Sequence, residues 1–270
     1  MKIIQITDTH FVPPGRTLYN LDPAASLRRI VADINERHAD ADLVVITGDL
    51  ANDGDEDAYR LLLDTLAPLP CEVRLLLGNH DDRGSFRRVF PDASVDSQGF
   101  IQSALTTPDG ALRLLFLDSH EPETTGGKYC PARLGWLATE LAKTPDVPAV
   151  IFIHHPPFDA GFAHFKHIGF HDPEPLMEVL RAHPAGIRHL FFGHIHISLS
   201  GITECGISYT SGRGASHQFI VEPKNPRPWW SAGTGPNYTV ITQRGGGLRA
   251  MHVDTLDAQP LAQANECLGP

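Results

Sequence analysis

Cysteine is scarce in this 270-residue chain, and its four copies, Cys71, Cys130, Cys205 and Cys267, are scattered with no Cys-x-x-Cys pair. That excludes a disulfide framework and a zinc ribbon, and fits isolated thiols in a reducing cytoplasm. Long apolar runs are missing as well: none approaches the roughly 18 residues of a membrane span. The opening MKIIQITDTH meets Asp8 too early to read as a signal peptide. The expectation is a cytoplasmic protein without a membrane partner. Basic residues are few, 22 Lys and Arg against 32 Asp and Glu, a net charge of −10. A surface that tracks polymer phosphates needs clustered cations, so no nucleic-acid polymer is expected as a partner. With 24 Gly and 22 Pro the chain stays below the roughly 25–30% that marks low complexity. What is present is 41% hydrophobic residues, enough for a core, and 15 histidines, several of them beside Asp, Asn or Gly.

Short apolar runs alternate with helical patterns. Ile3–Thr7, Leu43–Thr47, Val73–Leu77, Ala149–Ile153 and His189–Phe192 read as strands. Helices are expected near Ser26–His38, Asp55–Leu66, Ala132–Lys143 and Pro175–His183. Runs such as LVVIT and VRLLL suggest a sheet covered on both faces. Gln98–Thr106 and Leu112–Asp118 flank a Pro-Asp-Gly turn and read as a hairpin. After Gly201 come strand candidates at Phe219–Val221, Tyr238–Thr242 and Leu248–Val253, then a loose tail from Ala258.

Each of five strands runs into a polar cluster at its carboxyl end. The clusters are Asp8-Thr9-His10, Gly48-Asp49, Gly78-Asn79-His80-Asp81, His154-His155-Pro156 and Gly193-His194-Ile195-His196. Ligands of α/β sheets bind at the carboxyl ends of strands, so the five are expected to meet at one edge of the sheet. Asp-x-His and His-x-His point both side chains to one side of an extended segment. Alone, such a pair is more often structural than a metal site; five in succession make a site. His, Asp and Asn without thiolate suit Mn, Fe, Zn or Co in a reactive centre.

Asp8-x-His10, Gly48-Asp49, Gly78-Asn79-His80-Asp81, His154 and Gly193-His194-x-His196, taken in order, resemble the signature of the calcineurin-like metallophosphoesterase superfamily. The HHPP stretch at His154 is closest to the bacterial class III cyclic-nucleotide and glycerophosphodiester phosphodiesterases. The resemblance implies an α/β four-layer sandwich, two mixed β-sheets flanked by helices. Residues 1–200 would form the catalytic core, 201–257 would complete the sandwich, and 258–270 would be a tail. It implies two divalent metal ions about 3.5–4 Å apart. Asp8, His10 and His196 would bind one, Asn79, His154 and His194 the other, and Asp49 would bridge them. With both carboxylates and a bridging hydroxide the centre would carry about +1, which attracts phosphate. The hydroxide would attack phosphorus. His80 would stabilise the transition state or protonate the leaving alkoxide, with Asp81 orienting its imidazole.

The implied reaction is metal-dependent hydrolysis of small phosphodiesters. The alternatives are a phosphomonoesterase or phosphonate monoesterase on the same fold, or a metal-free scaffold. His155 competes with His154 as ligand, and the His-x-Pro spacing favours His154. His164, His167, His171 and His217 are open between pocket and surface roles. Trp229 and Trp230 read as a packing or subunit-contact pair, and Val221–Tyr238 as a candidate arm of a homo-oligomer. The five clusters contain no Lys or Arg; Arg83 is the nearest basic residue.

Overall fold

A computed structural model describes residues 1–122, 124–220, 230–231, 235–244 and 247–255; the side chains of His164, Trp230 and Ser231 are not described. The tail from residue 258, Cys267, Trp229 and most of the candidate arm lie outside the described residues.

The chain opens with three parallel strands, β1 (Lys2–Ile6), β2 (Leu43–Thr47) and β3 (Glu72–Leu76). Between them run the helices α1 (Pro23–Arg37) and α2 (Glu56–Leu66). Asp22 caps α1 by accepting from the amides of Ala24 and Ala25, ahead of a proline in the first turn. A short helix α3 (Arg83–Val89), capped by Asp82, follows β3 directly.

The second half builds β4 (Ser103–Thr106), β5 (Arg113–Leu117), α4 (Pro131–Ala142), β6 (Ala149–Ile153), α5 (Glu174–Arg181) and β7 (Ile187–Phe192). Strands β8 (Leu199–Ile202) and β9 (Ser208–Ser211) come next. Then β10 (Gln218–Phe219) pairs with β11 (Trp230–Ser231) in a two-residue ribbon. The hairpin β12 (Asn237–Arg244) and β13 (Gly247–Asp254) closes the described chain.

Two mixed sheets result, ordered β13-β12-β1-β2-β3 and β4-β5-β6-β7-β9-β8. Three apolar clusters show the layering. One joins Leu27, Ile30 and Ile34 of α1 to Ile4, Ile6, Val44 and Ile46 of the first sheet. Another joins Leu137, Leu176 and Leu180 of α4 and α5 to Leu115, Ile151 and Leu190 of the second. The third lies between the sheets, where Ile3, Leu43 and Val45 meet Leu114, Phe116, Phe152 and Phe191. The three phenylalanines stack in a row at 5.3 Å spacing. The molecule is therefore helix, sheet, sheet, helix, which explains the unbroken apolar runs of β2 and β6: both faces of each strand are covered.

Three expectations need correction. The five clusters do not share one sheet edge: β1, β2 and β3 belong to one sheet, β6 and β7 to the other, and their loops meet across the seam. The first hairpin strand is only Ser103–Thr106, because Asp96 ties the stretch before it into a turn, accepting from the amides of Gln98 and Phe100. The strand expected at Phe219–Val221 ends by Phe219 in the described chain, and Val221 lies outside it. No helix among the described residues is long and apolar enough to cross a membrane.

Candidate metal centre

Five site residues have left-handed backbones: Asp8 (φ 55°), His10 (43°), Asp49 (48°), His194 (69°) and His196 (52°). Non-glycine residues keep such geometry at a cost of order 1–3 kcal/mol each, where surrounding structure over-determines them. Here the loops within each sheet hold one another, and the amide of His194 donates across the seam to Asp8 Oδ1 at 3.0 Å. The amide of Asp8 donates to the carbonyl of Gly48 (3.2 Å), His10 to Asp49 (2.8 Å) and Gly193 to His154 (3.1 Å). The motif glycines serve close approach. A Cβ on Gly78 would lie 2.1 Å from Asp49 Oδ1, and one on Gly193 would lie 1.9 Å from Thr7 Oγ1.

All seven expected ligands are brought together, six buried and Asn79 half-buried. Asp8, His10, Asp49 and His196 each offer a ligand atom within 4.8 Å of the others. His154, His155 and His194 form a second such group. Asp49 Oδ2 stands between the two, 3.5 Å from His10 Nε2 and 3.4 Å from His154 Nε2.

Backbone carbonyls select the imidazole tautomers. His154 Nδ1 donates to Thr47 (2.7 Å), His196 Nδ1 to His217 (2.7 Å) and His194 Nε2 to Ile168 (2.9 Å). A carbonyl only accepts, so each of these nitrogens carries hydrogen and the opposite nitrogen presents a lone pair to the site. Buried Asn79 Oδ1 and His154 Nε2 have no hydrogen-bond partner among the described residues. Inward lone pairs, two carboxylates and an orphaned amide oxygen make a donor set that fits divalent cations.

The electrostatics keep a lone pair on His10, His155 and His194, whereas His154 holds a second proton beside Asp49 that a cation would have to displace. Burial drives His194 down to about 3, helped by His154, and holds His10 and His155 well below their usual range. Burial opposes the charge of Asp49, yet the adjacent His154 and His10 hold its carboxyl well below the ordinary value. Against burial, Asp49 and then Asp8 lift His154 to about 9.

His155 remains less well placed than His154. Its Nδ1 is engaged by Ser119 Oγ at 2.9 Å, and its own Nε2 is also buried without a partner, but Asp49 contacts His154. His80 sits at the exposed rim, edge-on to His10 at 4.7 Å between ring centroids, and its amide donates to Asp49 Oδ1 at 3.0 Å. The orienting role read for Asp81 is a correction. His80 Nδ1 meets the carbonyl of Asn52 at 2.8 Å. Asp81 instead accepts from the amides of Leu50, Ala51 and Gly78 and from Tyr59 Oη, tying the loop after β2 to the loop after β3. Burial and the nearby charge of Asp49 raise its pKa to about 6.

Arg83 is committed elsewhere: its guanidinium forks onto Asp118 and the carbonyl of His120. His171 bonds Thr124 Oγ1 at 2.9 Å and His167 is exposed, so neither lines the metal-site cavity. His217 does line it, 4.4 Å from the His196 ring. Sequence reasoning missed Tyr19, Asn52 and Thr125, which with Phe165, Ile168 and Phe219 complete the walls of this cavity of about 190 Å³. Only Asn52, close behind Gly48-Asp49, carried a signal.

The model of calcineurin-like phosphoesterases matches residues 1–198. The chain belongs to that family. It is 40% identical over 223 residues to a probable cyclic nucleotide phosphodiesterase of Rhodopseudomonas palustris, covering 82% of this chain and 81% of that one. It is 31% identical over 201 residues to the glycerophosphodiester phosphodiesterase GpdQ of Enterobacter lignolyticus, covering 73% and 71%. A solved dimetal phosphatase from Danio rerio shares the fold, with a TM-score of 0.70 at 16% identity over 94% of this chain and 96% of that one. As a calcineurin-like phosphoesterase with this buried His/Asp cluster, the chain has a site for two divalent metals.

Proposed function

We propose that this calcineurin-like phosphoesterase hydrolyses small phosphodiesters, cyclic nucleotides or glycerophosphodiesters among them. One observation carries the reading: a carboxylate shared by two ligand clusters opens into a small cavity with no Lys or Arg in its described lining. Asp8, His10 and His196 would hold one metal, and Asn79, His154 and His194 the other, with Asp49 common to both. When bound, such ions supply Lewis acidity and a water made acidic enough to attack phosphorus. Iron, manganese, zinc and cobalt all suit this donor set.

The remaining work falls to the protein. The Asn52 carbonyl accepts from His80 Nδ1 and fixes the ring, which leaves Nε2 to serve the leaving oxygen, donating a proton there as the imidazolium. The burial of six ligands excludes bulk water from the cluster and strengthens its charge interactions. A monoester dianion commonly needs cationic side chains, and the one candidate near the motifs, Arg83, is paired with Asp118. A singly charged diester suits this wall better. The named relatives support the same class. Residues 1–200 carry every proposed ligand, and 201–257 are proposed to close the sandwich. Scattered cysteines support a cytoplasmic location.

The test compares kcat/KM for bis(p-nitrophenyl) phosphate and p-nitrophenyl phosphate with the same metal and pH. The diester should lead by at least about tenfold, roughly 1.4 kcal/mol. A monoester preference would overturn the diesterase reading.

A further inference from the structure

The cavity over the metal centre, about 190 Å³, has a neighbour of about 200 Å³ that shares two of its lining residues, Phe165 and His194. His194 is a proposed ligand, fixed by its bond to the carbonyl of Ile168. Phe165 is therefore the side chain that divides the two spaces. It is 6% exposed, its ring 6.1 Å from that of His194 and edge-on to Phe219 at 5.4 Å between centroids. Neither space alone reaches the roughly 300 Å³ at which small-molecule sites begin, whereas the two together do.

Phe165 sits in a short 3₁₀ helix, Ala163–His167. That turn is held through its backbone. The amide of Phe165 donates to the carbonyl of Phe162 at 3.1 Å, and the amide of Ile168 to the carbonyl of Phe165 at 3.3 Å. The Ile168 carbonyl in turn accepts from His194 Nε2 at 2.9 Å. None of these bonds uses the phenyl ring, so a smaller side chain at 165 leaves both the turn and the ligand tethered. Behind the ring, Phe158, Phe170 and Pro173 wall the second cavity, and Asp159 and Lys166 add one charge of each sign. A space lined by aromatic faces with no net charge suits a flat, neutral group.

We propose that Phe165 is the specificity-determining residue of this site: its ring keeps the substituent retained on phosphorus out of the second cavity, and so favours diesters with a small arm over those with a bulky aromatic one. The proposal rests on the phosphodiester reading and adds to it which diesters the site ranks first.

The test compares kcat/KM for methyl p-nitrophenyl phosphate and for the p-nitrophenyl ester of thymidine 5′-phosphate, at matched metal content. Both release nitrophenolate, so they differ only in the retained arm. The native chain should favour the methyl ester. Phe165→Ala should raise the thymidine-to-methyl ratio at least tenfold, and Phe165→Leu should move it less in the same direction. Ala160 is half-buried and lines the second cavity but not the first. Ala160→Trp should therefore leave the native ratio unchanged and cancel the gain when combined with Phe165→Ala. A native preference for the thymidine ester, a ratio unmoved in both Phe165 variants, or a gain that survives Ala160→Trp would overturn the proposal while leaving the diesterase reading in place. Turnover of neither ester would overturn that reading, and the proposal with it.

Discussion

Asp49 and His154 join the two sheets: Oδ2 of the carboxylate lies 3.4 Å from Nε2 of the imidazole. One follows β2 and the other β6, so the centre exists only when the sandwich is closed. The same oxygen reaches His10 at 3.5 Å. Asp49→Ala should therefore lose metal from both clusters, and turnover should fall with it. Metal analysis of the purified variant checks this; two tightly bound ions with near-native turnover would refute the bridging role.

His80 is proposed to serve the substrate side; it sits at the rim, with Nδ1 held by the Asn52 carbonyl. His80→Ala should keep its metal and lose about 10²–10⁴ in rate, the usual contribution of one positioned acid–base group. The loss should shrink for nitrophenolate leaving groups, which need little protonation. An equal loss for good and poor leaving groups would leave only electrostatic stabilisation.

Asp81 gathers three backbone amides and the Tyr59 hydroxyl around one buried carboxylate. Asn at this position would turn an amide toward donors. Asp81→Asn should destabilise the fold by about 2–3 kcal/mol, the scale of charge-assisted hydrogen bonds lost from a buried site. Chemical denaturation measures it. Because Asp81 does not touch the His80 ring, the dependence of rate on leaving group should stay as in the native enzyme.

Much of this site was legible because strand ends are local. β2 and β6 lie where LVVIT and AVIFI put them, and the residues that follow them are the proposed ligands. Elements with weak local signals were not legible. Helix α3 is seven residues of RGSFRRV, too short to show a period. Strands β8 and β9, LSGI and SYTS, carry little apolar alternation and gain order by pairing beside β7. Long-range placement was invisible for a different reason. Adjacency suggested that Asp81 serves His80, but a backbone turn at Gly78 sends the two side chains apart. Tyr19 and Thr125 reach the cavity from stretches far apart in the sequence with no motif to announce them.

His189 predicts an acid limit on stability. Its ring stacks on Phe191 at 4.3 Å, Nε2 meets Thr210 Oγ1 at 3.0 Å, and burial lowers its pKa to about 4. The fold prefers the neutral ring, whereas the unfolded chain takes up a proton below about 6.5. Stability should be lost as pH falls from about 6.5 toward 4, by about 1–3 kcal/mol from this residue. His189→Gln should flatten that limb of the Tm profile; parallel profiles for variant and native protein would disprove the assignment.

The most direct measurement is a titration of chelator-stripped protein with Mn²⁺ while turnover of bis(p-nitrophenyl) phosphate is followed. A carboxylate shared by two clusters predicts no turnover without metal and a plateau reached at two equivalents per chain. A plateau at one equivalent, or full turnover of the stripped protein, would contradict a dinuclear phosphodiesterase.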